Sequence, residues 1–405
     1  MNNHTPADEI ASRLNRFQAL LQQYLSQAEG SLVFSRLNIF YFTGSFANGV
    51  LWLPREGKPI LFCRRGIERA AIESSVEVIV PFNSYGDIPK TFNEYGLSQP
   101  STIAAEMGGL PWALANSLLK YLPEVKFQPA DRLIAMTRAK KSEWELRIIR
   151  EAGARHDKCL TQLLPPLLQE GINELEISHR LSELFFAQGH HGILRMETFG
   201  EEAYLGHIAV GDSANYPSVF NGPVGLRGAH PAVPFMGAEE VCWTAGYPLT
   251  IDNGFTLAGY HTDKTQVYWL GSRSSIPDHL QAAHDFCVEL LARIAAQLRP
   301  GAIPSSIWRE CEELALQSAW ADGFMGLGNN KVRFVGHGIG LAIDEYPVLA
   351  KGFDQPLEEG MVLAIEPKIG ISGLGMVGTE NTFEVTAEGG KSVSGSNYDI
   401  ITIEG

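Results

Sequence analysis

Paired cysteines are missing from this chain. Its five cysteines, Cys63, Cys159, Cys242, Cys287 and Cys311, are odd in number, scattered and without a Cys-x-x-Cys spacing. That argues against a disulfide framework or a thiolate zinc site and for free thiols in a reducing compartment. Positive charge is also short: 32 Lys plus Arg stand against 46 Asp plus Glu, a formal net charge of −14. No basic run exceeds Arg64-Arg65 or Lys140-Lys141, so neither nucleic acid nor an anionic membrane is an expected partner. No window approaches the roughly 18 apolar residues of a membrane span. The stretch Met1–Leu25 is polar, with no basic start leading into an apolar run, so no signal peptide is expected and the default location is cytoplasmic. Only 19% of residues are charged while 45% are hydrophobic, which supplies a large core and excludes disorder.

With 405 residues, two domains are expected. The boundary falls near Thr137–Lys141, giving 1–138 and 139–405. In the first part, Leu32–Ser35, Ile39–Gly44, Val76–Pro81 and Thr102–Glu106 have strand character, and Arg65–Ser74 and Pro111–Tyr121 have helix character. Val50–Pro54 and Pro59–Cys63 flank the Gly-containing turn Arg55–Lys58 as a hairpin. The second part begins with a capping box, Ser142 with Glu145 three residues on, opening a helix to about Leu164. A second helix is expected over Asn173–Gln188, stopped by Gly189. A hairpin, Leu249–Phe255 and Tyr260–Leu270, follows, then helices over Asp278–Leu298 and Ser305–Asp322. The Glu-Gly-Ile at Gly171 and the Pro-Gly-Ala at Gly301, 130 residues apart (301 − 171), each precede a helix. That spacing is too long for a solenoid repeat and points to two halves of one domain.

Chemistry concentrates in a few apolar segments. Asp252 ends the run Thr250–Ile251, and Asp263 follows eleven residues later (263 − 252) across a tight turn. On paired strands the two can project from one face, where either one carboxyl is protonated or a cation sits between them. His337 stands in Gly336-His337-Gly338-Ile339-Gly340, Glu366 ends Met361–Ile365, and Glu380 lies in Gly378–Thr386. Each alone has a plain structural explanation, as a cap, a turn residue or a satisfied histidine. An apolar strand, however, carries an unpaired carboxylate only at high energetic cost. Four carboxylates and one imidazole together call for positive charge. The only basic residues close in these segments are Lys264 and Lys368, whereas two divalent ions would balance four carboxylates.

These segments resemble the pita-bread metallopeptidases, which include methionine aminopeptidase, aminopeptidase P and prolidase, with creatinase as a non-peptidase relative. The Asp-x-Gly strand, the Gly-Tyr-x-x-Asp-x-Thr segment, Gly-His-Gly-Ile-Gly, Ile-Glu-Pro and the final Glu before Val-Thr occur in the family's order and spacing. The resemblance implies an α+β pita-bread catalytic domain with internal pseudo-twofold duplication, preceded by a smaller α/β creatinase-type N-terminal domain. It implies two divalent metal ions, with Asp252 on one, His337 and Glu366 on the other, and Asp263 and Glu380 bridging. A hydroxide between the metals would attack, with Glu366 shuttling its proton. The donor set favours manganese, with cobalt, zinc or iron possible. A homodimer is expected by the same resemblance.

Departures from the family pattern fall around the ligands. A second histidine is replaced by Asp344, an arginine by Gly378, an aspartate by Asn381, and an arginine after the second aspartate by Gln266. Candidate substrate contacts are His261, on the same strand face as Asp263, His230 in the loop 221–237, Asp344 and Arg195, with Tyr204, His207 and Arg227 as further candidates. His190-His191 is a short chelating tract or a loop pair. The leading expectation is an Xaa-Pro dipeptidase or aminopeptidase acting on a small peptide. The alternatives are hydrolysis or lysis of a small non-peptide C–N or C–S compound, and a peptide-binding module without catalysis.

Overall fold

The first 138 residues of the computed structural model form one unit and Ala139–Gly405 the other; residues 4–404 are described. In the first unit the strands are β1 (Gly30–Val33), β2 (Asn48–Pro54), β3 (Ile60–Arg65), β4 (Val78–Pro81), β5 (Thr102–Ala105) and β6 (Lys126–Pro129). They build one mixed sheet in the order β4-β3-β2-β1-β5-β6. The helices are α1 (Ala7–Tyr24), α2 (Arg36–Thr43), α3 (Ile67–Glu73), α4 (Asp87–Glu94), α5 (Trp112–Tyr121) and α6 (Asp131–Ala139). Leu32, Trp52, Phe62, Phe92 and Ile103 fill a core on one sheet face. The expected hairpin is β2–β3. The expected strand at Ile39–Gly44 is helix α2 instead. Ser35 Oγ accepts the Asn38 N–H at its start, and Gly44 ends it at φ +81°. These two caps outweigh the aromatic and β-branched content between them.

The second unit repeats the order helix pair, then antiparallel strands. Helices α7 (Glu143–Lys158) and α8 (Glu174–Ala187) precede β7 (Gly206–Val210), β8 (Leu249–Leu257) and β9 (Tyr260–Leu270). Helices α9 (Asp278–Gln297) and α10 (Pro304–Leu316) precede β10 (Phe334–Gly338), β11 (Glu345–Ala350), β12 (Val362–Ile365), β13 (Lys368–Ile371), β14 (Gly375–Gly378), β15 (Asn381–Thr386) and β16 (Gly389–Ser392). The Ser142–Glu145 capping box is formed in both directions. α7 continues through a π-helical turn, Cys159–Leu163, toward Leu164 as expected. The chain closes with β17 (Ile401–Ile403) beside β9 in the sheet β17-β9-β8-β7. The other large sheet runs β11-β10-β12-β15-β16, and β13–β14 is a separate ribbon. Leu280, Leu291, Trp308, Val335, Leu363 and Phe383 belong to the core beneath α9 and α10.

The two large sheets touch at one seam. Thr265 N–H donates to the Glu380 carbonyl at 3.1 Å, Asp263 N–H donates to Thr382 Oγ1 at 2.9 Å, and Thr382 Oγ1 donates to the Asp263 carbonyl at 2.9 Å. This seam brings the acidic residues of β9 against Glu380.

Candidate metal centre

Five segments converge on the seam, each for a local reason. Asp252 and Asp263 sit on the β8–β9 hairpin, where Asp252 pairs with Thr265 and Asp263 with Gly254. β10 is squeezed between β11 and β12, and its glycines permit that. A Cβ at Gly336 would stand 2.5 Å from the Ala364 carbonyl oxygen, and one at Gly338 2.4 Å from that of Tyr346. His337, between them, has room to turn inward. Glu366 follows β12, its N–H donating to the Val335 carbonyl at 3.0 Å.

One ligand atom from each of Asp263, His337 and Glu380 lies within 4.8 Å of the other two. His337 Nδ1 is 3.1 Å from the Gly338 carbonyl oxygen. A carbonyl only accepts, so this assigns the proton to Nδ1 and leaves the Nε2 lone pair free. Nε2 then faces Glu366 Oε1 across 3.6 Å. Two electron-rich atoms at that separation fit a cation between or beside them. The donor set of imidazole and carboxylates suits a divalent first-row ion.

Electrostatics agree. Burial, then repulsion from Asp252, pushes the Asp263 carboxyl well above the usual carboxylate range. Burial and Asp263 do the same to Glu380. Burial acts most strongly on Asp252 too, raising it, but the Lys368 ammonium, hydrogen bonds with Glu380 and Thr265 and the nearby His207 together hold it below the usual carboxylate range. Lys368 Nζ lies 2.7 Å from Glu380 Oε2, 2.9 Å from Glu366 Oε2 and 3.3 Å from Asp252 Oδ2. Thr265 Oγ1 is 2.9 Å from Asp252 Oδ1 and 3.0 Å from Glu380 Oε2.

A cavity of about 170 Å³ opens over this group. Asp252, Asp263, His337, Glu366 and Glu380 all line it. Among the expected substrate contacts, Asp344 lines it as well. His261 is fully buried outside the lining, with Nδ1 2.9 Å from the Gly340 carbonyl oxygen and Nε2 accepting the Arg195 N–H at 3.0 Å. Arg195 itself is partly buried outside the lining. His230 is exposed in its loop, where Nδ1 accepts the Ala232 N–H. His207 lines the cavity, edge-on to Phe220, opposite Asp252 in the β7–β8 register. Tyr204 is not in the lining, and Arg227 lies over the Tyr216 ring. His190 packs against Phe185 and Phe255 and is not in the cavity lining, and burial lowers its pKa to about 4.

The apolar wall was not foreseen from sequence. Phe220, Phe334, Met196, Ile343 and Val348 form it. The first and third lie in segments without helix or strand period, so no pattern marks them as lining. The departures from the family pattern are held mostly by backbone carbonyls, though the buried Gln266 Oε1 has no hydrogen-bond partner. Gln266 Nε2 donates to the Asp399 carbonyl at 2.7 Å. Asn381 Nδ2 donates to the Ser394 and Gly395 carbonyls, while its Oδ1 accepts from Lys264 Nζ.

Comparison with known proteins adds to this geometry. The sequence matches the family model of metallopeptidase family M24 over residues 147–387. Residues 13–140 match the creatinase/prolidase N-terminal domain. It is 27% identical over 370 residues to the "Probable dipeptidase PepE" of Mycobacterium tuberculosis, covering 87% of this chain and 85% of that one. It is 23% identical over 366 residues to the Xaa-Pro dipeptidase of Pyrococcus furiosus, covering 90% and 93%. In structure it resembles the Xaa-Pro dipeptidase from Bacillus anthracis at a TM-score of 0.79, with 21% identity and 97% and 99% of the two chains covered.

Proposed function

The chain belongs to metallopeptidase family M24, and on that footing we propose that it hydrolyses a peptide bond in short peptides, Xaa-Pro dipeptides foremost. The observation that carries this reading is the convergence of Asp263, His337 and Glu380 at the floor of a small cavity. A divalent ion held there would polarise the scissile carbonyl and lower the pKa of water. The chain's own groups supply the rest. Glu366, on the cavity wall beside His337, takes the proton from the attacking water and returns it to the leaving nitrogen. Phe220, Phe334, Ile343 and Val348 offer an apolar wall to a proline ring and exclude water around it. The dipeptidase names of the relatives support the choice of short substrates. Among the described residues no helix is long and apolar enough to cross a membrane. The five free cysteines, four of them buried, support a reducing, cytoplasmic setting.

A second reading is hydrolysis of a small non-peptide C–N bond. Asp344 motivates it, because this carboxylate lines the cavity at the position where the family resemblance leads one to expect a second histidine. The test is the purified chain loaded with Mn²⁺ and assayed by amino-acid release from Xaa-Pro dipeptides, other dipeptides and Xaa-Pro-Xaa tripeptides. Cleavage that falls at least about 100-fold in Glu366→Gln supports the peptidase. If every peptide survives under every metal, the peptidase reading is wrong and small amides become the substrates to try.

A further inference from the structure

The ligand set expected for two ions is split in this structure. Asp263, His337 and Glu380 converge on one another. Asp252 instead has both oxygens engaged by the chain: Oδ1 accepts from Thr265 Oγ1 at 2.9 Å, and Oδ2 is 3.3 Å from Lys368 Nζ. Lys368 is 0% exposed. Its ammonium donates to one oxygen each of Glu366 and Glu380, so it is ion-paired with three carboxylates in all.

Strand pairing explains how a lysine reaches this position. Across the β13–β14 ribbon Lys368 faces Gly378. Gly378 has φ +141°, and a Cβ there would stand 2.4 Å from the Pro367 carbonyl oxygen, 2.7 Å from Lys368 Cα and 3.1 Å from Lys368 Cγ. The absent side chain at 378 is what lets the lysine stem run inward beneath Glu366 and Glu380.

We propose that the Lys368 ammonium takes the place of one of the two divalent ions, leaving a single-ion centre at Asp263, His337 and Glu380 with Glu366 alongside. The inference rests on the metallopeptidase reading and narrows it. First-row ions bind carboxylate oxygens at about 2.0–2.2 Å. The oxygens of Asp252, Glu366 and Glu380 that face Nζ cannot serve such an ion while the ammonium keeps its place. Charge leads to the same arrangement. A buried ammonium is stable only when paired, and here it meets three of the four carboxylates that otherwise call for a second ion. Asp252 thereby becomes a partner of Lys368 rather than a metal ligand.

The test counts ions. Full-length protein is stripped with chelator, reloaded with Mn²⁺ and analysed for bound metal by mass spectrometry. Electron paramagnetic resonance then separates an isolated Mn²⁺ from an exchange-coupled pair. Wild type is expected to hold one equivalent, uncoupled. Lys368→Arg, which keeps the charge, stays at one. Lys368→Met and Lys368→Gly rise to two with a coupled spectrum, since Asp252 is freed to ligate. Asp252→Asn keeps one equivalent, whereas His337→Ala loses it. Circular dichroism verifies that each variant folds, and two independent lysine variants and one aspartate variant guard against a single misfolded protein. Two coupled ions in wild type, one ion in folded Lys368→Met, or loss of the ion in folded Asp252→Asn overturns the inference. Two ions with peptide cleavage would sink only this inference. No bound ion in any protein would sink the metal-dependent reading as well.

Discussion

Asp344 and Thr198 are joined twice: Asp344 Oδ2 accepts from the Thr198 Oγ1 at 2.9 Å and from its N–H at 3.2 Å. The other carboxylate oxygen accepts the Glu197 N–H at 2.6 Å. Asp344 thus fastens the segment carrying Met196 and Thr198, both of which line the cavity, to the loop after β10. Asp344→Ala is expected to loosen that wall. In this exposed setting the lost hydrogen bonds are worth about 1 kcal/mol, so KM should rise roughly 5-fold with a smaller change in kcat. Steady-state kinetics on the best peptide measures it. An unchanged KM would show that the wall does not depend on this tie.

Lys141 and Glu345 form an ion pair at 3.3 Å, with both side chains at most 4% exposed. Glu345 Oε1 also accepts the Ala342 N–H at 2.9 Å, next to the glycine-rich run that presents His337. Lys141→Met strands a buried carboxylate, and breaking such a pair costs about 3–5 kcal/mol. Urea unfolding should show that loss. A change within about 0.5 kcal/mol would mean the pair contributes little.

Glu174 gives a pH signature. It is buried at the start of α8, where its oxygens accept the Val210 and Ala238 N–H groups at 2.8 and 2.9 Å. Burial raises its pKa to about 7 against those hydrogen bonds. The folded value lies above the unfolded one, so its contribution is fully present below about pH 4.5 and is lost as pH rises through 7. Relative to Glu174→Gln, wild type should lose about 2.5 kcal/mol between pH 5 and pH 8. Parallel stability curves for the two proteins across this range would contradict the assignment.

Cation loading should stabilise the fold. Without an ion, burial and mutual repulsion raise Asp263 and Glu380, and a bound ion relieves both. Mn²⁺ at about 100 times its Kd adds about 2.7 kcal/mol, a shift in Tm on the order of 5 °C for a unit of this size. Chelator should reverse the shift, and His337→Ala should abolish it. A Tm indifferent to Mn²⁺ and to chelator would leave the cluster without its ion.

The sequence exposes those parts of the fold that local chemistry decides. The Ser142–Glu145 box, the β8–β9 hairpin and helix α9 lie close to where caps, alternation and period place them. Ile39–Gly44 shows the limit, since apolar composition there suits a strand while two single-residue caps select a helix. The helix expected over Ser305–Asp322 ends at Leu316, short of the expected end. At the site, buried carboxylates announce themselves because apolar strands seldom carry them. The contrasting fates of Lys264 and Lys368 do not. Both flank acidic segments in sequence. Lys264 Nζ bonds Asn381 and pairs with Asp157 at 3.4 Å, while Lys368 enters the cluster. Only the pairing of Lys368 with Gly378 distinguishes them, and strand pairing is a long-range fact. His261 sits on a strand face where alternation puts it near Asp263, yet both its ring nitrogens are taken by backbone, a competition that periodicity cannot reveal.

β17 pairs in parallel with β9, Ile401 to Tyr268 and Ile403 to Leu270, and β9 carries Asp263. During translation the first unit, with its own sheet and core, can mature while the second is still emerging from the ribosome. In the second, β9 gains its neighbour β17 only after residues 401–403 have been made.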